Sequence, residues 1–102
     1  MTCGVYQIQN TVNGKSYVGS SQNIEGGWRT HSGSLIANRH HSRHLQRAWE
    51  LDGKEAFVFK IVLICEAKDL LLYEQLIMDF YKASNGFVGY NVSAVADALK
   101  GE

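Results

Sequence analysis

Several things are scarce in this sequence, and each scarcity excludes something. No apolar run approaches the length needed to cross a bilayer, and the amino terminus lacks the basic and apolar regions of a secretion signal. The expectation is a soluble, cytoplasmic protein with no membrane partner. Cysteine is sparse: Cys3 and Cys65 stand far apart, one near the start and one closing an apolar run. No disulfide framework is expected, and the thiols read as reduced and without a catalytic role. Net charge is missing as well, since ten basic side chains balance ten acidic ones. That balance supplies no overall attraction to a polyanion and argues against tight stand-alone binding of nucleic acid. Internal repeats and low-complexity segments are absent too.

What is present is enough for one small domain. The chain has 102 residues, 45% of them hydrophobic, which supports a single core over residues 1–102, with 95–102 as a possible flexible tail. Charge is unevenly placed although it sums to zero. Between Gly26 and Trp49 lie Arg29, Arg39, Arg43, Arg47 and all the histidines, without a carboxylate. A local basic surface is therefore available, or simply a solvated helix-loop-helix face.

The first twenty residues carry the clearest local signal. Two short apolar runs flank Asn13-Gly14, a hairpin signature, with strands over about Gly4 to Gln9 and Ser16 to Ser20. A loop of even length, such as Thr11 to Gly14, puts Tyr6, Ile8, Tyr17 and Gly19 on one face. Tyr6 then lies opposite Gly19 and diagonal to Tyr17. An odd loop would separate the tyrosines.

A first helix is expected from Ile24 to about Ala37, capped by Ser21, Gln22 or Asn23, with Ile24, Trp28, His31 and Leu35 on one face. His31 is then either a satisfied core residue or a group at the lip of a cleft. Gly26-Gly27 inside this helix is costly, each glycine losing roughly 1 kcal/mol relative to alanine. The stretch 38–43 reads as a loop, and a second helix runs from about Ser42 to Leu51 until Gly53 stops it. His40, His41 and His44 invite zinc, but no cysteine pair or repeated ligand spacing supports a structural metal. The run from Ala56 to Cys65 reads as a strand buried on both faces, the central or most covered of the sheet.

A third helix, about Ala67 to Lys82, carries a stripe of Leu70, Tyr73, Ile77, Phe80 and Tyr81 with Glu74 in its middle. A carboxylate there must curl out to water, find a partner or hold a metal. Gly86 to Asn91 reads as a loop leading to a short extended piece, and Ala94 to Glu102 as a short helix or frayed tail.

Gly4-Val5-Tyr6, ten intervening residues and Tyr17-Val18-Gly19 stand in order with Asn23-Ile24, Trp28, His31, Leu45-Gln46, Glu74 and Gly89-Tyr90-Asn91. That pattern resembles the GIY-YIG nucleases, specifically the catalytic domain of phage intron homing endonucleases. The resemblance implies a DNA endonuclease built as an α/β fold, a three-stranded antiparallel sheet flanked by three helices, with the third strand beside the first. It implies that Tyr6 takes a proton from the attacking water, directly or through His31, and that Tyr17 positions the phosphate. By the same resemblance Glu74 holds one Mg²⁺ or Mn²⁺, His40 faces the DNA or the active site, and Asn91 is a supporting amide. His41 and His44 carry no such implication.

The sequence departs from the family at one position: an arginine that would contact the scissile phosphate is here Gly27. Arg29 does not replace it, because two residues along a helix rotate a side chain by about 200°. Tyrosine, with a reference pKa near 10, is a poor base without a cation nearby. An impaired nuclease is therefore expected, and the intact remaining motif favours an inactivating substitution over a natural pseudoenzyme. The alternative is a non-catalytic nucleic-acid-binding module using the basic 29–47 surface. With no zinc finger, helix-turn-helix or long basic linker, sequence preference would require an additional DNA-binding domain or protein.

Overall fold

The hairpin closes through the loop from Thr11 to Gly14. The Asn10 N–H donates to the Lys15 carbonyl (2.9 Å) and the Gly14 N–H to the Asn10 carbonyl (2.8 Å). Gly14 turns the chain at φ 78°, a conformation that side chains oppose. In this computed structural model, which describes residues 1–81 and 89–91, strands β1 (Gly4–Asn10) and β2 (Ser16–Ser21) pair antiparallel. Tyr6 faces Gly19 and Ile8 faces Tyr17, the register that an even loop requires. A third strand, β3 (Phe57–Ile64), pairs antiparallel with β1, giving the order β2-β1-β3.

That order corrects one expectation. The apolar run around β3 reads as a strand covered on both faces, yet β3 is an edge strand and β1 is central. Val58, Ile61 and Ile64 of β3 are 38%, 42% and 73% exposed. The centre tolerates polar residues because they are paired: Gln7 donates to the Ser16 hydroxyl (2.8 Å) and Asn10 to Asp52 (2.7 Å). The composition of β3 reports strand preference, not coverage.

Helices α1 (Ile24–Ile36) and α2 (Arg43–Asp52) cover one face of the sheet, where Tyr6, Ile8 and Tyr17 pack with Ile24, Leu35, Leu45 and Phe57. Helix α3 (Leu70–Tyr81), entered through a 3-10 turn at Ala67–Asp69, covers the other face through Met78 against Val5 and Val18. Leu70, Glu74 and Met78 are its buried row, spaced four apart. The expected stripe therefore holds at Leu70, Tyr73 and Ile77 but not at Phe80 and Tyr81, which are exposed. Lys82, the loop 86–88 and the tail 95–102 lie outside the described residues. Among the described residues, no helix is long and apolar enough to cross a membrane.

Caps fix where the helices begin. The Asn23 side chain accepts from the Gly26 N–H (3.1 Å), and the Ser42 hydroxyl accepts from the Leu45 N–H (3.2 Å) while donating to the Tyr90 carbonyl. Gly53 stops α2 at φ 83°. Beyond α3, Gly89 bridges Ser16 in parallel and the Asn91 amide clamps β2, donating to the Val18 carbonyl (2.7 Å) and accepting from its N–H (2.9 Å). This covers an edge that would otherwise invite a foreign strand.

The two helical glycines are not equivalent. A Cβ on Gly26 would lie 2.6 Å from the Asn23 amide nitrogen, so a side chain there displaces the cap, whereas a Cβ on Gly27 meets nothing nearer than Ser21 at 3.8 Å. Gly27→Ala is expected to raise stability by about 1 kcal/mol, with Gly26→Ala giving no gain. Urea unfolding of the two variants beside the parent checks this.

Candidate active site

The Tyr6 ring lies directly over Gly19: a Cβ there would sit 2.5 Å from the Tyr6 hydroxyl. Tyr6 is fully buried, and its oxygen comes within 2.6 Å of His31 Nε2, on the α1 face that turns toward the sheet. His31 Nδ1 in turn is 2.7 Å from His40 Nε2. The direction of this chain follows from its far end. The Ser42 backbone N–H donates to His40 Nδ1 (3.0 Å), so that nitrogen carries no proton. Burial, then the neighbouring His31 and His41, hold the His40 imidazole well below its ordinary value, at about 3. Neutral His40 thus has its proton on Nε2 and donates to His31 Nδ1. His31 keeps its own on Nε2 and donates to the Tyr6 oxygen.

Tyr17 stands beside this chain, its ring edge-on to His31 at 5.2 Å and to His40 at 5.6 Å. Burial, and secondarily the Glu74 carboxylate, push its phenol above the ordinary tyrosine range. Tyr17 is therefore a neutral hydroxyl, bonded to His41 Nε2 at 2.9 Å. Glu74 arrives from α3, buried, and accepts from the Ser20 hydroxyl on β2.

The fold brings Tyr6, Tyr17, His31 and His40 into one cluster, with Glu74 near enough for its charge to act on Tyr17. Gly27 points at Ser21, the residue after Glu74's hydroxyl partner. Asn91 does not join the cluster; its amide is spent on the Val18 backbone between Tyr17 and Gly19. Arg39, Arg43 and Arg47 share a cavity of about 250 Å³ with His40, Gln46 and Glu50, whereas Arg29 is exposed on α1 outside it.

Two members of the site are assigned no role by the sequence, although Gln46 belongs to the motif that carries the family resemblance. His41 stacks on His40 (4.5 Å, 24°) and bonds Tyr17. Its signal was adjacency to His40, in a loop whose path begins with Asn38 at φ 59°. Gln46 is buried and spans both helices, accepting from the His40 N–H (3.0 Å) and donating to the Leu35 carbonyl (3.0 Å). A glutamine on the apolar side of a short helix is its sequence trace. Among the described residues, no group of three or more His, Cys, Asp or Glu is arranged to hold a metal ion.

Comparisons with known proteins agree with this layout. The family model of the GIY-YIG catalytic domain matches residues 2–91. The whole chain is 36% identical, over 107 aligned positions, to intron-associated endonuclease 1 of Enterobacteria phage T4, and covers 40% of that protein. A solved structure of the catalytic domain of intron endonuclease I-TevI, a glutamate-to-alanine mutant, superposes with a TM-score of 0.84 at 30% identity, covering 93% of this chain and 97% of that one. A second structure, of the catalytic domain of homing endonuclease I-TevI, gives a TM-score of 0.80 at 31% identity, covering 89% and 98%.

The His40 environment sets a pH dependence. Its folded pKa lies below the unfolded value of about 6.5, so between that value and about 3 the unfolded chain binds the extra proton. The stability contributed by neutral His40 is complete above pH ~6.5 and is lost as pH falls toward 3. Urea midpoints from pH 7 to 4 should fall, and less steeply in His40→Gln. Long-range ¹H–¹⁵N correlations at pH 7 should find His31 Nδ1 and His40 Nδ1 unprotonated.

Proposed function

The chain belongs to the GIY-YIG catalytic domain family, and from that premise we propose that it is a metal-dependent endonuclease domain acting on DNA, impaired by Gly27. The observation that carries this reading is the hydrogen-bond chain in which the Tyr6 oxygen receives a proton donor from His31. A donor aimed at a phenolic oxygen stabilises the phenolate, the form able to take a proton from an attacking water. His40 and the Ser42 N–H act as positioning groups, because they keep the His31 proton on the nitrogen that faces Tyr6. Tyr17, held neutral, donates its hydroxyl to a phosphate oxygen, and does so by exchanging its bond with the exposed His41.

Glu74 is the residue that would hold the metal. A buried carboxylate beside a serine hydroxyl is a hard oxygen donor set, and Mg²⁺ or Mn²⁺ bound through one carboxylate keeps most of its waters. Such an ion supplies Lewis-acid neutralisation of charge on the phosphate. The α1 position where the family carries an arginine supplies no cation here. Position 27 opens toward Ser21, next to the Glu74 partner Ser20, and a Cβ there meets only ordinary contacts. No crowding demands glycine there, which supports a substitution that disarms the site over a structural need. An arginine would both stabilise the transition state and favour the Tyr6 phenolate.

Gly27→Arg is expected to nick supercoiled plasmid in Mg²⁺ about 10²–10³-fold faster than the parent. Adding Glu74→Ala should remove that gain. If the arginine variant stays at the parental rate, the impaired-enzyme reading fails.

A second reading, a non-catalytic DNA-binding module, is favoured by the three arginines around one cavity. It requires binding whose log–log salt slope shrinks by about one unit when Arg43 or Arg47 becomes alanine. The chain spans 40% of the phage endonuclease it matches. Sequence preference in a longer protein would come from a separate DNA-binding part.

A further inference from the structure

We propose that Cys3 and Cys65 are a redox-closable pair, a disulfide site that staples the entry of β1 to the exit of β3. The two cysteines read as unrelated in the sequence, but the fold sets them opposite each other. The register that pairs Gly4 with Ile64 continues one residue outward, where the Cys65 N–H donates to the Cys3 carbonyl (3.1 Å). Opposed residues of a hydrogen-bonded antiparallel pair have Cα atoms about 5.5 Å apart, inside the roughly 4.4–6.8 Å that a disulfide spans. Their side chains leave the same face.

The Cβ atoms of such a hydrogen-bonded pair need to approach by about 1–2 Å for the sulfurs to bond. The position allows this, because neither cysteine lies within a strand: β1 begins at Gly4 and β3 ends at Ile64. Gly4 also permits close approach there, since a Cβ on it would meet the Leu63 carbonyl oxygen at 2.1 Å. Both thiols are half-buried and reduced, within reach of a small oxidant. They sense each other: burial first, then Cys3, raises the Cys65 thiol above its ordinary value. Closure therefore accelerates as pH rises and the thiolate fraction grows.

The oxidant is a low-molecular-weight disulfide such as glutathione disulfide. One cysteine thiolate attacks a glutathione sulfur, expels one glutathione thiolate and leaves a mixed disulfide. The other cysteine attacks the protein sulfur of that bond and expels the second glutathione. Two protein thiols lose two protons and two electrons, and the small disulfide is reduced to two thiols.

Closure ties three elements together. Thr2, one residue before Cys3, donates to Glu25 in the first turn of α1 through its N–H (2.8 Å) and hydroxyl (2.5 Å), and its carbonyl accepts from Ile24 (2.8 Å). The bond therefore joins β3 to the start of β1 where β1 is already anchored to α1.

The test uses the folded chain in glutathione buffers, read by intact mass, peptide mapping and urea midpoint. The expected product is a monomer lighter by two hydrogens, with a Cys3–Cys65 linked peptide, formed at a rate independent of protein concentration. Its urea midpoint is higher than that of the reduced protein and returns on reduction. Cys3→Ser and Cys65→Ser should stop at the mixed disulfide with glutathione and show no upward shift. A persistent mixed disulfide on the parent, a linkage formed between chains, or a lowered midpoint on closure would each overturn the proposal. None of these readouts depends on nuclease activity.

Discussion

Everything at the site rests on one close approach, the Tyr6 ring lying on the bare backbone of Gly19. A tyrosine opposite any residue with a side chain would be lifted off the sheet, and its oxygen would move away from α1. With glycine beneath it, Tyr6 is sealed in the core with its hydroxyl held at the level of His31. The next contacts follow in order, His31 to His40 and His40 to the backbone at the start of α2. A hairpin register is thereby converted into the orientation of two imidazoles on different elements. The Ser42 hydroxyl reinforces the far end by capping α2 and bonding the Tyr90 carbonyl.

Burial shapes the charge pattern of this cluster. Glu74 is a buried acid, His40 is held neutral, and Tyr17 is a phenol that resists ionisation. Arg39, Arg43 and Arg47 gather around a cavity that His40 also lines. Gly27 puts no side chain into this cluster, and the backbone there is unstrained.

Much of this was legible from residues whose signals are local. Asn13-Gly14 announced the hairpin, an even loop implied the tyrosine register, and Ser21 to Asn23, Ser42 and Gly53 bracketed the helix ends. Glu74 was conspicuous because a carboxylate amid an apolar stripe must curl out to water, find a partner or hold a metal. What was not legible depended on tertiary neighbours. The β3 run looks like a central strand because apolar β-branched residues favour extended backbone wherever they lie. His41 gained a role only when the loop turned it under Tyr17. Cys3 and Cys65 became neighbours only through the β1–β3 register, set by a shift between Val5 and Tyr6 that no local pattern encodes.

The Asn91 clamp has a consequence in time. Its amide bonds Val18 from 73 positions further along the chain. Contacts of such separation form late, because a long loop must close before they yield any stabilisation. On a ribosome, the hairpin and α1 can assemble while the residue that secures the outer strand has yet to emerge. The strand carrying Tyr17 and Gly19 therefore remains an open edge until residue 91 is made, and its final position is locked by the last of the described residues.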